Sequence, residues 1–244
     1  MKYKIIISYD GKNYSGYQIQ KNAITIQELL EKALMKVLGY DTKLVASGRT
    51  DAGVSAIEQV CHMETQNKID IKRTIGYANS ILPNDIRILS IAECSEDFHA
   101  RFSAKQKTYE YFFYTSEHAI PVYDRIALHI DYPLRVDKMQ IACQSILGTH
   151  DFSSFCASGS EADSKVRTIF NAEIVKLDDK LYKFVITGDG FLYNMVRIIM
   201  GTLIDVGRES IQIEDVEYII NAKDRKQAGK TAEGKALYLK KVEY

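Results

Sequence analysis

Between two apolar, strand-like runs stands the polar stretch Ser47 to Ser55, SGRTDAGVS, in which Arg49 precedes Asp51 by two residues and Gly48 and Gly53 permit unusual turns. An ionised carboxylate at Asp51 can serve as nucleophile or general base, and a guanidinium at Arg49 is a fork for phosphate or carboxylate. A salt-bridged turn without chemistry explains the same spacing, so both readings stand on these residues alone. Arg197 is a second candidate, a lone cation in the apolar run Met195 to Met200. A buried arginine needs a buried partner, either a structural counter-ion or an acid that must stay ionised. Just before it, Phe191 reads as core and Tyr193 as a pocket-lining ring. Leu237, opening the last apolar stretch, suits a pocket wall or ordinary strand packing equally.

Other chemistries lack their residues. Gly48 to Thr50 does not have the spacing of a phosphate-cradling GxxxxGK[ST] loop, and Gly188-Asp189-Gly190 lacks the third glycine of GxGxxG and carries an acid in its middle. The four cysteines, Cys61, Cys94, Cys143 and Cys156, show no CxxC or CxxH spacing, and the five histidines form no HExxH. Buried thiols in a reducing compartment and no protein-bound metal are the expectation. Lys plus Arg and Asp plus Glu both number 32, so the formal net charge is zero and any polyanion site is a local patch. Separate basic groups at Arg49, Arg101, Lys105 and Lys107 could supply one. The Lys223 to Lys235 segment divides evenly between a solvated face and a polyanion contact.

The elements that must position these residues follow from periodicity. Lys2 to Tyr9 reads as a strand halted by Asp10-Gly11, too short for a signal-peptide core. Ile26, Leu29, Leu30, Ala33, Leu34, Val37 and Leu38 define a helix, with Thr25 and Glu28 spaced as a capping box and Gly39 as its stop. Strands at Lys43 to Ala46 and Ala56 to Met63 flank the polar loop. A helix started by Asp70 ends before Pro83, and a strand runs from Ile86 to Cys94. The second part offers a strand at Thr108 to Tyr114, a helix carrying Met139 to Leu147, strands at Val166 to Leu177 and Tyr182 to Thr187 joined by Asp178-Asp179, helices from Leu192 to Val206 and Ile213 to Ile220, and a strand at Leu237 to Val242. The first part has the order β-α-β-β-α-β, and the second has nearly the same order with one extra helix. This predicts an α+β chain of two ferredoxin-like halves, residues 1–100 and 101–244, whose antiparallel sheets are continuous or apposed around a central cleft. No apolar run reaches the length of a bilayer span, so the expectation is a cytoplasmic protein with no membrane contact.

Six blocks in order carry a resemblance: YDGKNYSGYQIQ from Tyr9, GRTDAGVSA from Gly48, HARFSAKQKTYEYFF from His99, HDFSSFC from His150, GDGFLYNMVRIIMGTLIDVGR from Gly188, and AGKTAEGKALYLKKVEY from Ala228. Together they resemble the TruA-type tRNA pseudouridine synthases over essentially the whole chain. The resemblance implies a cofactor-free isomerase that breaks the N1–C1′ bond of a uridine in tRNA, turns the uracil and rejoins it through C5. It places the catalytic aspartate on Asp51, the tyrosine that stacks on the target base on Tyr109, the arginine paired with the aspartate on Arg197, and the arginine that holds the flipped nucleotide out of the stack on Arg49. Arg101, Lys107, Tyr193 and Leu237 complete the expected substrate contacts. The expected site is the anticodon stem-loop, tRNA positions 38 to 40, gripped by a homodimer.

Three positions depart from the family's usual pattern: Ser55 replaces a histidine, Tyr17 a tryptophan and Lys107 an arginine, and Glu233-Gly234-Lys235 differs in the last block. These bear on RNA positioning and not on Asp51, Tyr109 or Arg197. The same chemistry at another tRNA or rRNA site, a non-catalytic RNA-binding protein and an enzyme acting on a free nucleotide are the alternatives. Intact Asp51 speaks against the second and the missing phosphate loop against the third.

Overall fold

The structure, a computed structural model, describes residues 1–160 and 162–244; Glu161, within the polar connection from Gly148 to Lys165, lies outside the described residues. Two compact units result, one of Met1–Lys105 with Tyr238–Tyr244, the other of Gln106–Leu237.

In the first unit β1 (Lys2–Tyr9) alternates strictly, burying Tyr3, Ile5, Ile7 and Tyr9 and turning Lys2, Lys4, Ile6 and Ser8 to its other face. Helix α1 (Ile26–Leu38) buries Ile26, Leu30, Ala33 and Leu34 and ends at Gly39, whose N–H donates to the Met35 carbonyl. The expected capping box does not form. The first helical amides donate instead to backbone, Ile26 N–H to the Gly16 carbonyl and Gln27 N–H to that of Tyr17, so Thr25 is spared that task and its hydroxyl is buried without a partner. Strands β2 (Val45–Ala46) and β3 (Ser55–Glu64) flank the polar loop. Helix α2 (Ile71–Ile81) is capped by Asp70, which accepts from Arg73 N–H at 3.0 Å, and β4 (Ile86–Cys94) follows. The strand order β4-β1-β3, with β2 antiparallel on the end of β3 at Cys61 and His62, is the ferredoxin-like one.

The second unit opens with β5 (Gln106–Thr115), then a short helix α3 (Pro121–Asp124) and strand β6 (Leu128–Ile130), neither of which the periodicity announced because each is under two turns or four residues long. Helix α4 (Val136–Ala142) tightens into a 3₁₀ turn at Cys143–Ile146, and β7 (Gly148–Asp151), β8 (Val166–Lys176) and β9 (Leu181–Gly188) complete the order β5-β9-β8-β7. These pairings are antiparallel, and β6 lies parallel to the end of β5. Asp178 makes the β8–β9 turn by accepting from the amides of Lys180 and Leu181, both at 2.8 Å.

Helix α5 (Met195–Gly207) starts three residues later than expected, because Asn194 sits in the left-handed region at φ 60°. It is apolar nearly all round, as a helix sunk in a core must be. The segment after α6 (Asp215–Ala222) runs directly against it, so closely that a Cβ on Gly201 would stand 1.7 Å from the Lys230 carbonyl oxygen. The final strand β10 (Leu237–Glu243) was expected in the second half. From Tyr238 onward it belongs to the first unit, since Tyr238 and Leu239 pair in parallel with Ser55 and Ala56 of β3.

Candidate active site

The loop between β2 and β3 is held from below and from the side. Its start is stapled by buried Gln59, whose carbonyl oxygen accepts from Ser47 Oγ at 2.6 Å and whose amide donates to the Gly48 carbonyl at 2.9 Å. The segment Tyr14–Tyr17 runs along its middle: Tyr17 N–H donates to the Thr50 carbonyl at 3.1 Å, Gly53 N–H to that of Tyr14 at 3.3 Å, and the Tyr9 hydroxyl meets Thr50 Oγ1 at 2.8 Å. Val54 N–H donates to the Asp51 carbonyl at 3.1 Å, closing the turn. The result is a half-buried Asp51 on a backbone held at Thr50, at its own carbonyl and at Gly53, with Arg49 exposed on the same loop. A carboxylate so placed keeps its aim without paying for full burial.

Gly16 makes this approach possible. At φ +90° it has a conformation that L side chains rarely adopt, and a Cβ there would lie 2.7 Å from the Thr50 carbonyl oxygen and 3.2 Å from the Asp51 carbonyl carbon. Gly16→Ala is therefore expected to cost about 1–3 kcal/mol in stability and to reduce turnover by displacing Asp51. Denaturant midpoints and initial rates check this; an unchanged midpoint with full turnover would contradict it.

Two departures from the family pattern prove to be scaffold. Ser55 is buried, its Oγ accepting from Gly11 N–H at 3.0 Å, which ties the end of the loop to the first turn. Tyr17 is buried too, its hydroxyl 3.0 Å from the thiol of Cys61, which burial pushes up to about 12. That thiol is inert as a nucleophile at neutral pH, and all four cysteines are free. Among the described residues no cluster of His, Cys, Asp or Glu is built to hold a metal.

In the second unit Tyr109 lies on β5 opposite Ile186 of β9, with only 9% of its surface exposed. Its ring meets the edge of Phe191 at 5.1 Å and 82°, so Phe191 acts as a support for Tyr109. The strand is anchored next door: Glu110 is paired with Lys183 at 2.7 Å, and the Tyr111 hydroxyl donates to the Glu233 carbonyl at 3.0 Å. Arg197 projects from the first turn of α5. Its Nε donates to the Ala232 carbonyl and its Nη1 to Asn194 Oδ1, both at 2.7 Å, while Ala232 N–H returns a bond to the Arg197 carbonyl. Both of these acceptors are neutral, and they orient the guanidinium.

Sequence reasoning missed Asn194. Its spacing three residues ahead of Arg197 at a helix start was the available signal. The structure puts Tyr193 on the exposed turn before α5, Lys107 half-buried at the start of β5, Leu237 buried where β10 begins and Arg101 exposed on the turn after β4. The basic segment is partly neutralised: Lys223 pairs with Asp151 at 3.2 Å and Lys235 with Asp124 at 3.1 Å.

Each unit thus offers side chains suited to work on an RNA base, a clamped Asp51 in the first and a supported Tyr109 and an oriented Arg197 in the second. Comparison with known proteins makes this specific. The family described as tRNA pseudouridine synthase matches residues 5–103 and 142–244. Proteins described as tRNA pseudouridine synthase A align over nearly the whole chain: that of Caldicellulosiruptor saccharolyticus is 46% identical over 98% of each chain. Those of Thermoanaerobacter sp. (strain X514), at 44% over 98% of each, and Bacillus subtilis (strain 168), at 45% over 100% of this chain and 99% of the other, agree. The chain belongs to the tRNA pseudouridine synthase A family. It is an isomerase that acts on tRNA, and among the described residues no helix is long and apolar enough to cross a membrane.

Proposed function

We propose that this enzyme modifies uridines in the anticodon stem-loop, at tRNA positions 38 to 40, with Asp51, Tyr109 and Arg197 as the catalytic set. The observation that carries this reading is the clamped loop that fixes Asp51 by its backbone and leaves the residue half-buried. In the reaction the Asp51 carboxylate removes the C2′ proton, the N1–C1′ bond breaks and uracil leaves as its N1 anion. The base turns on the ring of Tyr109, C5 attacks C1′, and Asp51 returns the proton to C2′. The C5 proton is lost as N1 gains one, so the product is an isomer of the substrate. Arg197 keeps Asp51 ionised. Arg49 holds the flipped nucleotide out of its stack, Arg101 and Lys107 take phosphates, and Tyr193 and Leu237 line the base pocket. The enzyme works in the cytoplasm as a homodimer that grips each tRNA with both subunits, and needs no cofactor.

The test is incubation with a panel of unmodified tRNA transcripts followed by chemical mapping of pseudouridine. Modification confined to positions 38 to 40 is expected. Pseudouridine confined to other positions, or formed in rRNA fragments and not in tRNA, overturns the site assignment.

A further inference from the structure

Phe102 is the most exposed large apolar side chain among the described residues, at 76%. Such a ring normally sits on a mobile tip, and this one does not. Its turn is closed by Ser103 N–H donating to the His99 carbonyl at 2.8 Å and by His99 N–H donating to Ser103 Oγ at 3.0 Å. Three successive amides then donate to imidazole nitrogens: Ala100 N–H to Nδ1 of buried His62 at 3.1 Å, and those of Arg101 and Phe102 to Nδ1 of His99 at 3.1 and 3.2 Å. The Tyr244 hydroxyl donates to the Ala100 carbonyl at 2.8 Å and ties the turn to the end of the chain.

The rings form a ladder. His62 meets His99 at 4.8 Å, and His99 lies under Phe102 at 4.3 Å with 31° between the planes. One face of Phe102 is thus backed by an imidazole while most of its surface stays in water. The Arg101 guanidinium stands 5.6 Å from the same ring, Lys105 is exposed close by in the chain, and Lys4 caps the Tyr244 ring at 4.4 Å.

We propose that the His99–Phe102 turn is an RNA-binding platform, on which an unpaired base of the tRNA other than the reacting uridine stacks against Phe102 while Arg101 takes an adjacent phosphate. A rigid ring backed on one side and flanked by a cation matches what single-stranded bases stack on. One isolated ring is far too small for a protein partner, which needs about 800 Å² on each side. The proposal rests on tRNA being the substrate and not on which uridine reacts or on the role of Asp51.

The chain contains no tryptophan, so Phe102→Trp introduces a single indole at the platform, excited selectively at wavelengths where the tyrosines do not absorb. Its emission is expected to be quenched saturably by unmodified tRNA, and equally in the Asp51→Asn background. Phe102→Ala should raise Kd and KM about tenfold, with kcat at saturating tRNA and the thermal midpoint retained, and Phe102→Trp should restore KM. Arg101→Ala should weaken binding and reduce its salt dependence. The proposal is overturned if Phe102→Ala leaves Kd and KM within twofold, if emission does not respond to tRNA, or if emission responds to protein concentration in the absence of RNA. The last result would assign the ring to a contact between copies of the chain. Pseudouridine mapped outside positions 38 to 40 would refute the proposed site and leave the platform standing.

Discussion

Asp51→Asn is expected to lower turnover at least about 10³-fold while tRNA affinity stays within about tenfold. The substitution keeps the shape and removes the charge. The bonds that fix the loop involve the Asp51 carbonyl, the Thr50 carbonyl and hydroxyl, Gly53 N–H and Ser55 Oγ, and asparagine disturbs none of them. The fold should therefore survive, and the defect should fall on proton transfer at C2′. Pseudouridine formation by mass spectrometry, filter binding of the same transcripts and a thermal melt separate these effects. Turnover within tenfold of the parent enzyme would remove Asp51 from the mechanism. Tight binding lost along with turnover would make it a scaffold residue.

How far the sequence led depended on the range of the interactions involved. Helix α2 and strand β4 were placed at their observed ends because Asp70, Pro83 and the apolar alternation act within a few residues. The α1 cap was misread because its amides are satisfied by Gly16 and Tyr17, whose approach is tertiary. Helix α5 was begun too early because apolar character runs through Leu192, and only the left-handed Asn194 marks the turn. The last strand was assigned to the wrong unit for a related reason: a parallel pairing with β3 leaves no trace in local periodicity.

The site divides in the same way. The loop around Asp51 stood out as a polar, glycine-bearing insert between apolar runs, although its spacing alone did not separate catalysis from a salt-bridged turn. The residue roles came from the resemblance of whole blocks. The contacts that make the loop rigid, Gly16 against Thr50 and Ser55 to Gly11, join residues about 35 to 45 positions apart in the chain and became visible only in the fold. Ser55 shows the value of that view. A departure that suggested altered RNA handling turns out to be a buried hydroxyl spent on the scaffold, which directs attention to exposed residues such as Arg101 and Phe102 for specificity.

Tyr109 should prove to act through both its ring and its hydroxyl. Its ring is held against Phe191 in a T-shaped pair and is nearly buried, so Tyr109→Phe changes only the phenolic oxygen and should preserve packing. In that variant binding is expected to hold within about twofold while turnover falls by roughly 10²-fold, because a proton donor or acceptor beside the turning base is lost. Tyr109→Ala removes the stacking surface as well and should weaken tRNA binding by about 1–3 kcal/mol. It also opens a cavity between β5 and Phe191, at a cost in stability of about 3 kcal/mol. Tyr109→Leu fills much of that cavity without supplying a ring, so its binding defect reports stacking separately from folding. The measurements are Kd, single-turnover rate and thermal midpoint for the three variants. If Phe and Leu behave alike, with small losses in both binding and rate, Tyr109 is a packed aromatic of β5 and some other group supports the base.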